Sequence, residues 1–213
     1  MFTVQQLWEM ELAQLKLERE TTEPDPEIWR WSPLEIWEYE RMLHVANGLA
    51  VDNNIRLRGE GDALRRLSLA EAGSGIGTKL YLAVNKFNLD AWGYEVSDDY
   101  IAKARKLGVR TVKCDFRTEK PPWAKFDIVY IARPFKDDDV EVAWEREVMK
   151  DMRPGAVLIS AYAAVKPYDW PCFYRAPFRG VWIKPATANQ YSAMIARQTM
   201  GSDPLVPEPL GVR

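Results

Sequence analysis

Glu71-Ala72-Gly73-Ser74-Gly75-Ile76-Gly77-Thr78 decides the reading of this 213-residue chain. It follows an apolar run at 67–72 and precedes a helical pattern at 79–87. A strand that turns through glycines into a helix offers a ligand free backbone N–H groups and a main chain bare of side chains. Glycines at 73, 75 and 77 spell G-x-G-x-G. The dinucleotide fingerprint needs its third glycine one place later, where Thr78 stands. A pyrophosphate cradle is therefore the poorer fit, and a nicotinamide-dependent oxidoreductase is disfavoured with it.

Outward from this loop, short apolar strands alternate with helical patterns, which predicts an α/β domain: a mainly parallel sheet with helices on both faces. Strands are expected at 67–72, 91–96, 109–114, 126–132 and 156–162, with a hairpin formed by 172–175 and 181–184. Helices are expected at 78–87, 98–107 and 138–152, the last carrying Val140, Trp144, Val148 and Met152 as its i, i+4 stripe. Before the loop, residues 1–62 read as a helical preface. Its first helix follows a Thr3 cap, with Val4, Leu7, Trp8, Leu12, Leu15 and Leu17 at apolar spacing. Its second starts near Ser32-Pro33 and runs to about Ala46, where Asn47-Gly48 and Asp52-Asn53-Asn54 supply turn chemistry. Trp8, Trp37 and Trp144 sit at core-like spacings. The body is expected over 63–200, and 201–213, with three prolines, reads as a tail.

Composition narrows the function classes. The longest uncharged apolar run, 156–165, is too short to span a bilayer, and charges among residues 1–20 exclude a secretory signal. Cys114, Cys172 and a single histidine make no zinc cluster, so no metal is expected and a cytoplasmic setting is. Residues 1–40 hold ten acidic against three basic side chains, leaving the remainder net positive although the whole chain is −2. No dense Lys/Arg run accompanies that asymmetry, so nucleic acid stays open as a partner without being indicated by charge.

In an open parallel sheet, ligands bind beyond the carboxyl ends of the strands. Those ends carry the glycine loop, then Glu95 with a carboxylate for two ribose hydroxyls, then Asp115-Phe116 with an acid for an amino group and a ring for a base. The fourth carries Ala132-Arg133-Pro134-Phe135. These features, with Asp127 at a strand entry and the turn Arg153-Pro154-Gly155, resemble the nucleoside-binding half of the class I S-adenosylmethionine-dependent methyltransferases over residues 60–162. The resemblance implies a Rossmann-like fold and S-adenosyl-L-methionine as cofactor. It implies a cofactor site of Glu71, Gly73, Ser74, Gly75 and Gly77 by the methionine moiety, Glu95 by the ribose, Asp115 and Phe116 by the adenine, and Ala132 after the fourth strand.

The departures are informative. Amino-methylating enzymes of bases carry an Asn/Asp/Ser-Pro-Pro-aromatic run after strand four. Ala132–Phe135 keeps one proline and the aromatic ring only. Arg133 and Phe135 are the catalytic candidates at that loop, Arg133 either orienting an acidic substrate or pairing with a neighbouring loop. Cys172, after a proline, is weighed as a nucleophile and set aside; His44 as a base only if the N-terminal helices close over the site. The expected function is methyl transfer to an unidentified small molecule, nucleic acid or protein. A non-catalytic module acting through protein contacts is the alternative, and homo-oligomerisation stays open.

Overall fold

The structure, a computed structural model, describes residues 1–21, 35–58, 66–160, 174–175, 180–186 and 189. Helices α1 (Val4–Thr21) and α2 (Ile36–Arg58) come first. The body follows as β1 (Ser68–Ala72), α3 (Thr78–Phe87), β2 (Asp90–Glu95), α4 (Asp98–Lys106), β3 (Arg110–Lys113), β4 (Ile128–Ile131), α5 (Asp138–Asp151), β5 (Val157–Ser160), β6 (Tyr174–Arg175) and β7 (Val181–Ile183). The seven strands form one sheet in the order β3-β2-β1-β4-β5-β7-β6. Strands β1 to β5 are parallel, and β7 runs antiparallel between β5 and β6. Strand order reverses between β1 and β4, so the switch point lies where β1 ends in glycines. The expected alternation is therefore present.

Local chemistry explains the element ends. Thr3 and Gln6 make a reciprocal capping box: Gln6 N–H donates to Thr3 Oγ1 at 3.2 Å and Thr3 N–H to Gln6 Oε1 at 2.9 Å. Asp137 caps α5 by accepting from Asp139 and Val140 N–H. Gly108 leaves α4 at φ 76°.

Two apolar cores sandwich the sheet. One packs Leu69, Ile128, Val157 and Ile159 against Leu7 of α1, Tyr39 and Leu43 of α2 and Leu80 of α3. The other packs Ala70, Val129 and Leu158 against Trp123, against Val148 and Met149 of α5, and against Met152 just past its end. Asp127, fully buried at the amino end of β4, holds the two halves there. It accepts from Ser68 N–H and Oγ at 2.8 Å each and pairs with Arg153. Its reading as a structural residue agrees with this position.

Several expectations are corrected. The turn at Asn47-Gly48 and at 52–54 is absent, because α2 continues to Arg58. Its inner face, Tyr39, Met42, Leu43, Ala46 and Ala50, is buried in the first core, and that packing overrides the local turn preference. A Cβ built on Gly48 meets nothing within 4 Å. Gly48→Ala should therefore stabilise the protein by about 0.5–1 kcal/mol, the helix-interior cost of glycine. A lowered urea midpoint would contradict a regular helix there. In α1 the buried stripe is Leu7, Glu11, Gln14 and Glu18, while Leu12 and Leu17 are exposed. In α5 it is Glu141, Glu145, Val148 and Met149, with Val140 exposed. Trp37 is also exposed, stacking edge-on with half-buried Trp8 at 5.2 Å. The Ser32-Pro33 cap, Cys172, the end of the fifth strand beyond 160, the domain bounds at 62 and 200 and the tail 201–213 lie outside the described residues.

Candidate cofactor site

The loop after β1 is held by main-chain and carboxylate contacts to the end of β2. Gly73 and Ser74 N–H both donate to the Tyr94 carbonyl, at 2.8 and 3.2 Å. Gly75 N–H donates to Glu95 Oε2 at 2.9 Å. The other oxygen, Oε1, accepts from Val96 and Ser97 N–H at 2.8 and 2.9 Å. Glycine is favoured because φ is 71° at Gly73, 53° at Gly75 and 83° at Gly77. Gly93, beside the loop, is required sterically, since a Cβ there would meet Ser74 Oγ at 2.4 Å. Ser74 is thereby directed at the sheet.

Glu95 is nearly buried. Burial pushes its carboxyl above the ordinary range; the three backbone N–H groups pull it back, and Glu18 of α1 adds to the rise. A carboxylate has about four lone-pair directions, so three acceptances leave room for a further donor. Cys114 N–H bonds the Glu95 carbonyl at 3.0 Å, which brings Asp115 and Phe116 to the same edge of the sheet. The Asp115 carboxylate is gripped by the Arg117 guanidinium and N–H, which hold it below the ordinary carboxylate range. Phe116 leans on Trp123 and Trp144, with ring centroids at 6.2 and 5.3 Å. The Cys114 thiol, buried and facing Glu119 and Asp115, is pushed up to about 11 and is inert.

The loop after β4 answers the catalytic candidates. Ala132 is partly buried against the first core. Arg133, at φ 47°, pairs with Asp138 in the first turn of α5. Phe135 is buried with its ring 5.8 Å from Trp144, so it packs under the loop. His44 is exposed and lies against Phe87, at the end of α3 remote from the glycines.

Sequence reasoning missed the carboxylates and phenol delivered by helices. Phe135 N–H donates to Glu141 Oε2 at 2.8 Å. Burial raises Glu141 from 4.5 to about 8, with Phe135 N–H and Arg133 lowering it and Glu145 raising it. The folded chain thus keeps a proton there that the unfolded chain loses above about pH 4.5. Stability should fall as pH climbs through that window toward 8, and Glu141→Gln should flatten the decline. Urea titrations across the window check this; stability rising with pH would contradict it. On the opposite face, Glu11 of α1 is fully buried and accepts from Thr78 Oγ1 and, at 3.0 Å, from Lys79 Nζ. A readable signal existed: a lysine in the first turn of a helix opposes the macrodipole and needs a partner.

No family model and no curated protein matches the chain. Among solved structures, it is similar to an RNA methyltransferase from Salinibacter ruber in complex with S-adenosyl-L-homocysteine, at 18% identity, 73% of this chain, 95% of that one and TM-score 0.48. It is also similar to an S-adenosylmethionine-dependent methyltransferase from Clostridium acetobutylicum, at 14% identity, 79% of this chain, 65% of that one and TM-score 0.46. A plantazolicin methyltransferase in complex with a substrate analogue and S-adenosylhomocysteine stands at 13% identity, 71% of this chain, 52% of that one and TM-score 0.44. The chain's own strand order and glycine loop define a Rossmann-like α/β fold with β7 antiparallel between β5 and β6.

Proposed function

We propose that this protein binds S-adenosyl-L-methionine and transfers its methyl group to an acceptor. The observation that carries the reading is the bond from Gly75 N–H to Glu95, which joins the glycine bend at the switch point to the acid that ends β2. The residues fit a nucleoside. Glu95 keeps acceptor capacity for ribose hydroxyls, and the positive-φ glycines let a ligand approach the main chain. Asp115, paired with Arg117, and Phe116, packed on Trp144, support the reading by offering an acid for an amino group and a ring for a base next to the end of β2. When bound, the cofactor supplies a methyl on a sulfonium, which an acceptor's lone pair takes by in-line displacement. The chain's work is then alignment and exclusion of water, which needs no acid–base dyad. Arg133, tied to Asp138, serves to shape the loop after β4.

The test is isothermal titration with S-adenosylhomocysteine, followed by tritium transfer from labelled cofactor into a cell extract. Glu95→Ala is expected to weaken nucleoside binding by about 1.5–3 kcal/mol, the worth of charge-assisted hydrogen bonds. No binding to folded protein would reject the reading. Binding without tritium transfer would favour the non-catalytic module.

A further inference from the structure

At the carboxyl end of the sheet, Glu71 lies buried beside the glycine loop, within reach of Glu11, Tyr39 and Lys79. The amino end has a different character. Arg66, Arg105, Lys106, Arg110 and Lys125 come from separate stretches of the chain, and only Arg105 and Lys106 adjoin. The strand order gathers them. Arg66 stands just before β1, Arg110 opens β3 and Lys125 lies just before β4, while Arg105 and Lys106 end α4 three residues short of β3.

Contacts along this edge fix the row. Ser68 Oγ donates to the Lys125 carbonyl at 3.3 Å, Arg66 Nε to the Asn88 carbonyl at 2.8 Å, and Arg110 pairs with Asp90 at the start of β2. In the order β3-β2-β1-β4, three strand spacings of about 4.8 Å set the row from Arg110 to Lys125 at about 14 Å. All five basic side chains are exposed. The acid within the row is half-buried Asp90, which neutralises Arg110 alone. Arg66, Arg105, Lys106 and Lys125 have no ion pair among the described residues. The Arg110 guanidinium lies over the Trp92 ring, 4.5 Å from its centroid, and is thereby held in place.

A helix macrodipole accounts for Arg105 and Lys106 at the end of α4. It does not account for Arg66, Arg110 and Lys125, which precede strands, where net dipoles are small. Cations spaced along a line match a ligand whose negative charges repeat along a line. A membrane surface would want apolar side chains beside the cations, and none of the exposed large apolar side chains stands in the row. We infer that the amino edge of the sheet binds the sugar-phosphate backbone of a nucleic-acid strand, as an anchoring surface at the end opposite the glycine loop. The inference goes beyond the methyl transfer proposed above and does not depend on it. It also explains why the sequence shows no dense Lys/Arg run: the row is assembled across four strands rather than along one segment.

The experiment follows the fluorescence anisotropy of a labelled single-stranded RNA, and of DNA of the same sequence, titrated with the full chain. Both should bind alike, because phosphate contacts carry no base information. With Arg110 neutralised, four cations remain, and four phosphate contacts give a salt slope of about −2.8, so affinity should fall about 50-fold between about 50 and 200 mM salt. Lys106→Glu with Lys125→Glu should weaken binding by about tenfold or more and flatten the slope by about 1.4. Lys16→Glu with Arg19→Glu makes an equal charge change at exposed positions of α1, and should leave the affinity within about twofold. Thermal unfolding reports whether each variant folds, and Lys106→Gln with Lys125→Gln carries the same comparison if the glutamates do not. No binding of either strand to the wild type at the lower salt would overturn the inference. Equal losses in the two charge-reversed pairs would also overturn it, as would binding confined to phosphatidylserine vesicles. Titration with S-adenosylhomocysteine decides the proposed function separately, so either proposal can fail while the other stands.

Discussion

Gly77→Ala is expected to destabilise the protein by about 2–5 kcal/mol and to abolish nucleoside binding, since left-handed strain and overpacking act together. At φ 83° an alanine is strained before any contact is counted. Its Cβ would then meet Val109 Cγ2 at 2.7 Å and Ala104 Cβ at 2.9 Å, with the Ala104 backbone at 3.3 Å behind. That helix backbone cannot turn aside as a flexible side chain would, so the loop must move instead. The displacement would pull Gly75 N–H from Glu95, and the site would come apart with it. Thermal unfolding and titration with S-adenosylhomocysteine check the two halves. Near-normal stability with binding retained would mean the loop tolerates a side chain, contrary to its geometry.

The second large effect lies at the other end of the sheet. Asp127→Ala should cost about 3–5 kcal/mol, the penalty for breaking a buried ion pair and stranding its partner. Arg153 would keep its bond to the Phe126 carbonyl and lose its carboxylate, and the Ser68 N–H and hydroxyl would both lose their acceptor. The melting temperature should drop on the order of 10 °C for a chain of this size. Below that transition the dissociation constant for S-adenosylhomocysteine should be unchanged, because Asp127 sits at the amino end of β4 and the glycine loop beyond the carboxyl end of β1. Together the two variants separate the scaffold from the site. A loss of affinity in Asp127→Ala at a temperature where the protein is folded would show that the ends are coupled.

Much of the architecture was legible because its signals are local. The three glycines announced a strand-to-helix bend, and the alternation of short apolar runs with helical periods announced a parallel sheet. Glu95 was legible as the end of β2, and Cys114-Asp115-Phe116 as the turn after β3. The N-terminal helices were legible as helices but not in their orientation. Apolar spacing pointed to Leu12 and Leu17, and the fold exposes both and buries Glu11, Gln14 and Glu18. The same inversion occurs in α5, where Val140 is exposed and Glu141 and Glu145 are buried. Periodicity assumes that the buried face of a helix meets an apolar surface. Here each helix meets polar groups instead: Glu11 of α1 takes Thr78 and Lys79 at the start of α3, and Glu141 of α5 takes the Phe135 N–H.

What the sequence by itself determined is the backbone path around the glycine loop: positive φ at 73, 75 and 77 favours glycine, and a carboxylate stands where the next strand ends. What tertiary structure alone decided is which distant side chains share the loop's interior. Glu11 and Tyr39 reach Glu71 across 60 and 32 positions of chain because two helices fold back over the sheet. Local pattern records a residue's own conformational preference. Charge balance in a buried cluster is a property of the assembled neighbourhood, and no single segment encodes it.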